Sequence, residues 1–446
     1  MKLDIILRTC QKSKLDENLS DWTRICGNKR EDMLNRCLLS LINCINNCNF
    51  NIKLTVLDDN SENDFIIKLK KFLKNCNKET SLINLEKVGY NNSAFEQFLM
   101  ASECDDLVYV VEDDYLHEED AISNLLNAYY YLSKRFDGPV ILHPDDDGWN
   151  YAEGNEKKTL LLHDGLRYWR SISHTTHTIF TEAKNLKDNF ESFSKLANEY
   201  PNLVEQNTID LLYKNFETGN GHINVFSPIP SIAYHMSYID HKIVSTTQST
   251  WRQLWDTNRY LEMVDGWFNY ADFYKNIVHS LPNEANIIEV GSWFGKSTIG
   301  MSNINKSIGK DCKIYAVDTW EGSNEEVEHR EKIEYLKSIN TTLYDEFLFN
   351  IDVYGVKENI IPIRKSSEQA SRDFGNHFFD LIIIDASHDY DSVLNDIKFW
   401  ISKVKKGGIL AGDDYDEKFP NVKKAVNDYF GYGNINIIGN TWFKIV

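Results

Sequence analysis

The stretch FDLIIIDASHDYDSVLNDIKFWISKVKKGGILAGDDY, Phe379 to Tyr415, restricts the fold more than any other part of the chain. It begins with an unbroken apolar run, Leu381 to Ile384, without the alternation of a strand that keeps one wet face. Such a run marks a central strand of a parallel sheet, buried on both sides. Asp385 closes it. After a polar loop holding His388, apolar residues recur at helical spacing at Val393, Ile397, Trp400, Ile401 and Val404. Lys405-Lys406-Gly407-Gly408 is predicted to stop this helix, since glycine turns left-handed freely and lysines suit the negative helix end. A second apolar strand, Ile409 to Ala411, then delivers Asp413 and Asp414. Ligands of open α/β sheets bind at the carboxyl ends of the strands. Three acids converging there repel one another unless a hard cation such as Mg²⁺ lies between them. Each acid is equally compatible with capping the following helix or facing solvent.

With 446 residues the chain has room for two or three domains. Its 67 acidic residues outweigh 48 basic ones, and no long basic run occurs. That argues against a general nucleic-acid or anionic-membrane binder, while leaving a nucleotide ligand open. No segment approaches the roughly 20 apolar residues of a membrane span. MKLDIILRT reads as a first strand, not a signal peptide. The eight cysteines, Cys37, Cys44 and Cys48 among them, form no CxxC pair, so reduced thiols and a cytoplasmic location are expected.

In the N-terminal half, strand-like runs at Leu3–Leu7, Ile52–Leu57, Ser81–Leu85 and Leu107–Val111 alternate with helical patterns at Asp32–Ile45, Asp64–Leu73 and Ala94–Ser102. The alternation predicts a parallel α/β sheet. ILRT, TVLDDNS and VYVVEDDYLHEEDAI occur in the order found in GT-A nucleotide-sugar glycosyltransferases, and residues 1–240 resemble that family. The resemblance implies that Thr9, Asp58 and Asp59 lie near the nucleoside. It makes Glu112-Asp113-Asp114 a DXD-type motif, with Asp114 holding Mn²⁺ or Mg²⁺ on the sugar diphosphate and Glu112 and Asp113 beside the donor. The physics agrees, because a diphosphate approaches carboxylates only when a cation neutralises both.

Further along, the strand Pro139–Leu142 leads into His143-Pro144-Asp145-Asp146-Asp147-Gly148-Trp149, an acceptor-cleft candidate that also fits an acidic turn. Tyr168-Trp169-Arg170 and His174-Thr175-Thr176-His177 border a sugar site on this view, or are buried aromatics. Glu205, at the start of a predicted helix Glu205–Phe216, and Asp145 are alternative bases for the acceptor hydroxyl. His235 stands where some GT-A enzymes have a late metal-binding histidine.

A polar stretch at 245–250 marks the joint, giving domains at 1–245 and 266–446 with a linker at 246–265. Helices are expected at Trp251–Asn258 and Trp267–His279. The strand Asn286–Val290 then runs into Glu289-Val290-Gly291-Ser292-Trp293-Phe294-Gly295-Lys296-Ser297. This turn is neither GxGxxG nor a P-loop. Gly291 allows a ligand near the backbone, Gly295 allows close helix packing, and the strand Lys313–Val317 ends in Asp318. ExGxxxG followed by that acid resembles class I S-adenosylmethionine-dependent methyltransferases. The likeness implies cofactor contacts from Glu289, Gly291, Ser292, Gly295 and Asp318, and from Ser367 and Glu368 after the strand Ile360–Ile363.

DASHDY followed by GGILAGDDY is similar to the Mg²⁺-dependent sugar O-methyltransferases of macrolide and aminocoumarin biosynthesis. That resemblance makes Asp385, Asp413 and Asp414 the metal ligands and His388 the base. The expectation is an α/β protein of two Rossmann-type domains and a bifunctional enzyme. It would transfer a sugar from a nucleotide-sugar, a UDP-sugar foremost, to a saccharide acceptor and O-methylate a sugar hydroxyl. The alternative is a sugar O-methyltransferase whose N-terminal domain only binds glycan.

Overall fold

The computed structural model describes residues 1–11, 30–87, 89–146, 158–236, 253–322, 327–338 and 340–446. Asp147, Gly148 and Trp149 of the acidic turn, the joint at 245–250, and the start of the helix expected from Trp251 lie outside the described residues. The chain forms two compact units, Met1–Asp256 and Thr257–Val446.

The first unit opens with β1 (Leu3–Thr9), β2 (Ile52–Asp58), β3 (Glu79–Asn84) and β4 (Leu107–Glu112). Shorter strands follow: β5 (Tyr115–His117), β6 (Val140–Leu142), β7 (Leu161–His163), β8 (Tyr168–Ser171), β9 (Ile179–Glu182), β10 (Asn224–Ile229) and β11 (Ala233–His235). The main sheet runs β3-β2-β1-β4-β9-β6-β10-β8-β7. Only its first four strands make the continuous parallel block expected from the sequence. From β9 onward the sheet is mixed, with β9 antiparallel to β4 and β8 antiparallel to β10. Leu107 to Val111 are fully buried, as a strand covered on both faces requires. The helix Asn63–Lys74 buries Phe65, Ile66, Leu69, Phe72 and Leu73 along one stripe. The register sets Thr9 level with Asp58, and Arg8 level with Glu112, so the acids share one sheet edge.

The helix expected over Glu205–Phe216 is instead two short 3₁₀ turns, Glu205–Asn207 and Ile209–Leu212. Ile209 and Tyr213 are buried while Leu211 is 70% exposed, so the apolar spacing there builds no helical stripe.

The second unit carries β12 (Asn286–Val290), β13 (Lys313–Asp318), β14 (Ile360–Arg364), β15 (Phe379–Ile384), β16 (Val404–Gly412), β17 (Asn436–Ile438) and β18 (Thr441–Ile445). Their order is β14-β13-β12-β15-β16-β18-β17, parallel except where β18 runs against β16 and β17. The chain direction through the sheet reverses between β12 and β15, which is the switch point where open sheets form ligand crevices. Val404 belongs to β16 and not to the preceding helix, which ends at Trp400 and tightens into a 3₁₀ turn at Ile401–Lys403. Val404 pairs with Phe379, the chain bulges through the two lysines and two glycines, and pairing resumes at Leu381 with Ile409. Gly407 takes φ 79° in that bulge. Within the stretch expected to be linker, Thr257–Met263 is a 3₁₀ helix of the second unit. Thr257 accepts a hydrogen bond from Asn303 (3.0 Å), and Tyr354 donates to the Tyr260 carbonyl (2.5 Å).

Candidate active sites

In the second unit, β12, β13, β15 and β16 end level with one another, and the residues after them line a cavity of about 530 Å³. On one side lie Gly291, Ser292, Trp293 and Asp318. On the other lie Asp385, His388, Asp413, Asp414 and Phe419, with Asp265, Gly266, Trp267 and Asn269 also contributing.

The glycine turn is braced from within. Glu289 is completely buried and accepts hydrogen bonds from the hydroxyls of Ser292 (2.8 Å), Ser297 (2.5 Å), Thr298 and Tyr270. Burial holds its pKa above the usual carboxylate range despite those four donors. Glu289 therefore shapes the loop, in place of the cofactor contact expected from the sequence. Gly291 likewise answers to the protein: a Cβ there would stand 1.8 Å from the Asp385 carbonyl oxygen. Asp318 accepts from the backbone N–H groups of Ser292 (3.0 Å), Trp293 (2.9 Å) and Trp320 (2.7 Å). It closes the turn while lining the cavity, so a ribose would meet it as one further partner. Gly295 packs against Phe347, with the helix Lys296–Ser307 starting beyond it.

Ser367 lines the cavity, donates to Asp396 and accepts from the Trp400 indole (2.9 Å). Glu368 is exposed and ion-paired to Arg372 one turn on, outside the cavity lining. The helix geometry that turns Ser367 inward turns Glu368 out.

Ligand atoms of Asp385, His388 and Asp414 lie within 4.8 Å of one another. His388 Nε2 is 2.9 Å from an Asp414 oxygen, and its ring packs on Phe419. Asp413 stands beside them, buried, 3.5 Å from the Thr441 hydroxyl and hydrogen-bonded by the Asn269 side chain. Burial, with Asp413 and Asp414 adding repulsion, raises the Asp385 carboxyl well above its ordinary range. Burial and Asp414 push Asp413 up to about 6. A cluster of oxygen donors under this strain fits a hard divalent cation. Asn269, Thr441 and Trp267 carried no local signal, since they reach the site from segments remote in sequence.

In the first unit, the acids after β4 are held differently. Arg8 ion-pairs with Glu112 and lies over the Tyr90 ring (4.4 Å). Even so, burial pushes Glu112 up to about 7. Asp113 accepts from Thr9 (3.0 Å), the Cys10 backbone (2.9 Å) and Arg30 (3.0 and 3.1 Å). Thr9 and Asp113 are thus both buried in a brace between strand ends, not presented to a donor. Asp114 lies 3.1 Å from His235 Nε2, and Tyr115 stacks on that imidazole at 4.8 Å. Burial disfavours the imidazolium at His235, but Asp114, with Glu112 and Asp145 adding to it, outweighs burial and the pKa is pushed up to about 9.

Asp59 accepts from the Gly89 backbone (2.8 Å) and Asp58 from the Ser61 backbone (2.9 Å). The other Asp58 oxygen is buried without a hydrogen-bond partner among the described residues, and burial raises this carboxyl. Asp145 accepts from Ser231 (2.6 Å) and the His235 backbone (3.2 Å). Glu205 is 3.7 Å from the buried His177.

Residues 288–415 match the family model described as a methyltransferase domain. The second unit thus carries a methyltransferase-type domain on a Rossmann-like sheet. The comparison with curated proteins returns no match. Among solved structures, the chain is similar to the O-methyltransferase NovP at 19% identity, over 43% of this chain and 81% of that one, with a TM-score of 0.30. A putative caffeoyl-CoA O-methyltransferase from Staphylococcus aureus is 12% identical over 46% and 93%, TM-score 0.30. An O-methyltransferase from Bacillus cereus in complex with SAH is 14% identical over 46% and 94%, TM-score 0.29. No helix among the described residues is long and apolar enough to cross a membrane.

Proposed function

We propose that the second unit is an S-adenosylmethionine-dependent O-methyltransferase acting on a sugar hydroxyl, and that the first transfers a sugar from a nucleotide-sugar to a saccharide. The observation that carries the reading is the Asp385–His388–Asp414 cluster facing a glycine turn across one cavity. Asp385 and Asp414 would hold the cation, with Asp413 beside them. When bound, the sulfonium supplies an activated methyl, and the cation lowers the pKa of a coordinated hydroxyl. His388, paired with Asp414 through Nε2 (2.9 Å), would take the hydroxyl proton. Gly291 to Trp293, pinned by Asp318, would give the cofactor a rigid backbone turn to bind against.

In the first unit, the Asp58 oxygen that has no partner among the described residues supports a nucleotide-sugar donor, and Asp114 with His235 offers an oxygen–nitrogen pair for Mn²⁺ or Mg²⁺. One polypeptide would hold both steps at high local concentration. A second reading, a glycan-binding first unit without transfer activity, is favoured by one observation: cations of the chain already answer all three acids after β4.

The test is calorimetric titration of the whole chain with S-adenosylmethionine, then with UDP-sugars plus Mn²⁺, followed by assays of methyl transfer and UDP release. Saturable binding of both ligands, with UDP-sugar binding lost in Asp114→Ala, is expected. A protein that binds no S-adenosylmethionine would overturn the first claim, and one that binds but never cleaves UDP-sugars would leave the glycan-binding arm.

A further inference from the structure

The loop between β8 and β9, residues 172–178, is rich in hydrogen-bonding side chains, and several of them brace the acidic strand end. The Thr178 hydroxyl accepts from the Glu112 backbone (3.2 Å), and Thr176 meets the Tyr115 hydroxyl (2.7 Å). Thr175 meets the Tyr213 hydroxyl (2.8 Å), and His177 Nδ1 the Tyr90 hydroxyl (3.1 Å). His177 is fully buried, and burial together with Arg8 pushes its pKa down to about 3, so it stays neutral.

His174 differs from its neighbours. Its Nδ1 lies 2.7 Å from an oxygen of Asp210, whose side chain is 10% exposed while the imidazole is 32% exposed. Asp210 sits on the 3₁₀ turn Ile209–Leu212, just after the turn that carries Glu205. In the same loop as His174, His177 lies 3.7 Å from Glu205 and Thr178 accepts from the Glu112 backbone, so the loop joins the turn that carries Glu205 to the acidic strand end. His235 in turn faces Asp114. The His174–Asp210 pair therefore borders the region that holds the acidic motif.

We infer that His174 is the general base of the first unit, with Asp210 as its positioning residue; this rests on reading that unit as a sugar transferase. A carboxylate on Nδ1 fixes the ring and its tautomer, directing Nδ1–H to Asp210 and making Nε2 the proton acceptor. The acceptor hydroxyl gives its proton to Nε2, and its oxygen bonds to the anomeric carbon of the donor. The bond from that carbon to the diphosphate oxygen breaks, and UDP departs with the electron pair. The imidazolium formed is stabilised by Asp210. The two bases suggested by the sequence are less well placed. Asp145 accepts from Ser231 and the His235 backbone. Glu205 is drawn toward its protonated form by burial.

The test uses the full chain with UDP-glucose, UDP-galactose and UDP-N-acetylglucosamine plus Mn²⁺, reading UDP release, UDP affinity by calorimetry and the melting temperature. His174→Gly should lose about 10²–10³ in turnover with UDP affinity within about two-fold, and added imidazole should restore at least about ten-fold. Asp210→Asn should lose about ten-fold without imidazole rescue, and Asp210→Glu should recover part of it. His174→Asn, matched to wild type in melting temperature, checks that the loss is not a folding defect. Wild-type turnover in His174→Gly, or loss of UDP affinity together with turnover and no rescue, would overturn the assignment. A wild-type chain that binds no UDP, or binds it and cleaves none of the three donors, overturns the transferase reading instead.

Discussion

In the first unit each acid of Glu112-Asp113-Asp114 meets a cation of the same chain: Arg8, Arg30 and His235 in turn. In the second unit Asp385, Asp413 and Asp414 crowd together near the buried Glu289, and the Asp414 carboxylate meets the His388 imidazole. Both units gather acids at the carboxyl ends of parallel strands, where two solutions to repulsion exist. One is a fixed counter-charge, which lets the site fold complete; the other is raised pKa values and a demand for an ion from solution. The difference teaches that an acidic strand end does not by itself signal a metal. The uncompensated cluster carries the stronger case.

The largest effect that would break this comparison is expected at Asp385. Asp385→Asn should lower Mg²⁺-dependent methyl transfer by about 10³-fold, on the scale of removing an electrostatic stabiliser from an active site. With chelator present, the same variant should melt higher than wild type, because a repelling buried acid is gone. A variant that Mg²⁺ still stabilises as it does wild type would remove Asp385 from the metal site.

The first unit should respond in the opposite sense. Arg30→Ala leaves Asp113 buried without its cation and should cost about 3 kcal/mol in urea unfolding. Adding Asp113→Ala should return part of that loss. If Arg30→Ala costs nothing, the counter-charge is not what holds this strand end together.

A smaller effect is expected at Asp396, a buried acid outside both clusters, whose carboxyl burial pushes from 3.8 to about 6. As pH rises through that window, the unfolded chain releases its proton first, so the folded state loses stability, with no further change above about 6. The loss is on the order of 3 kcal/mol. Asp396→Asn should lack this contribution, so its stability relative to wild type, measured in chelator, should rise between pH 4 and 6. A constant difference across that range would refute the shift.

Least of all should come from Glu368→Ala, which removes an exposed i,i+4 ion pair. We expect less than about 0.5 kcal/mol and S-adenosylmethionine affinity within two-fold of wild type. A ten-fold loss of affinity would restore the adenosine contact that the sequence pattern suggested.

Much of the architecture was legible because apolar runs and helical spacing are local properties. β12 was read to the residue, and β1, β2, β4, β13 and β15 to within two residues at each end. The short strands β5 and β7 to β11 were not, since three to six residues carry too little periodicity to stand out. Val404 looked helical because a buried valine serves a strand equally well. Among site residues, the sheet register brings Asp385, Asp413 and Asp414 to one edge, as the motif spacing suggested. The environments of Thr9, Glu289 and Glu368 could not be read from spacing, which places a residue at a strand end without showing what its side chain meets.

The sequence by itself determined where the strands lie, where the glycine turn falls and which acids follow each strand. Hydrophobic periodicity and backbone preference act over a few residues and so survive in the linear text. Tertiary structure alone decided which acids are neutralised. Arg30 lies 83 residues from Asp113, and His235 lies 121 from Asp114. Coulomb energy depends on distance and burial in space, neither of which separation along the chain encodes.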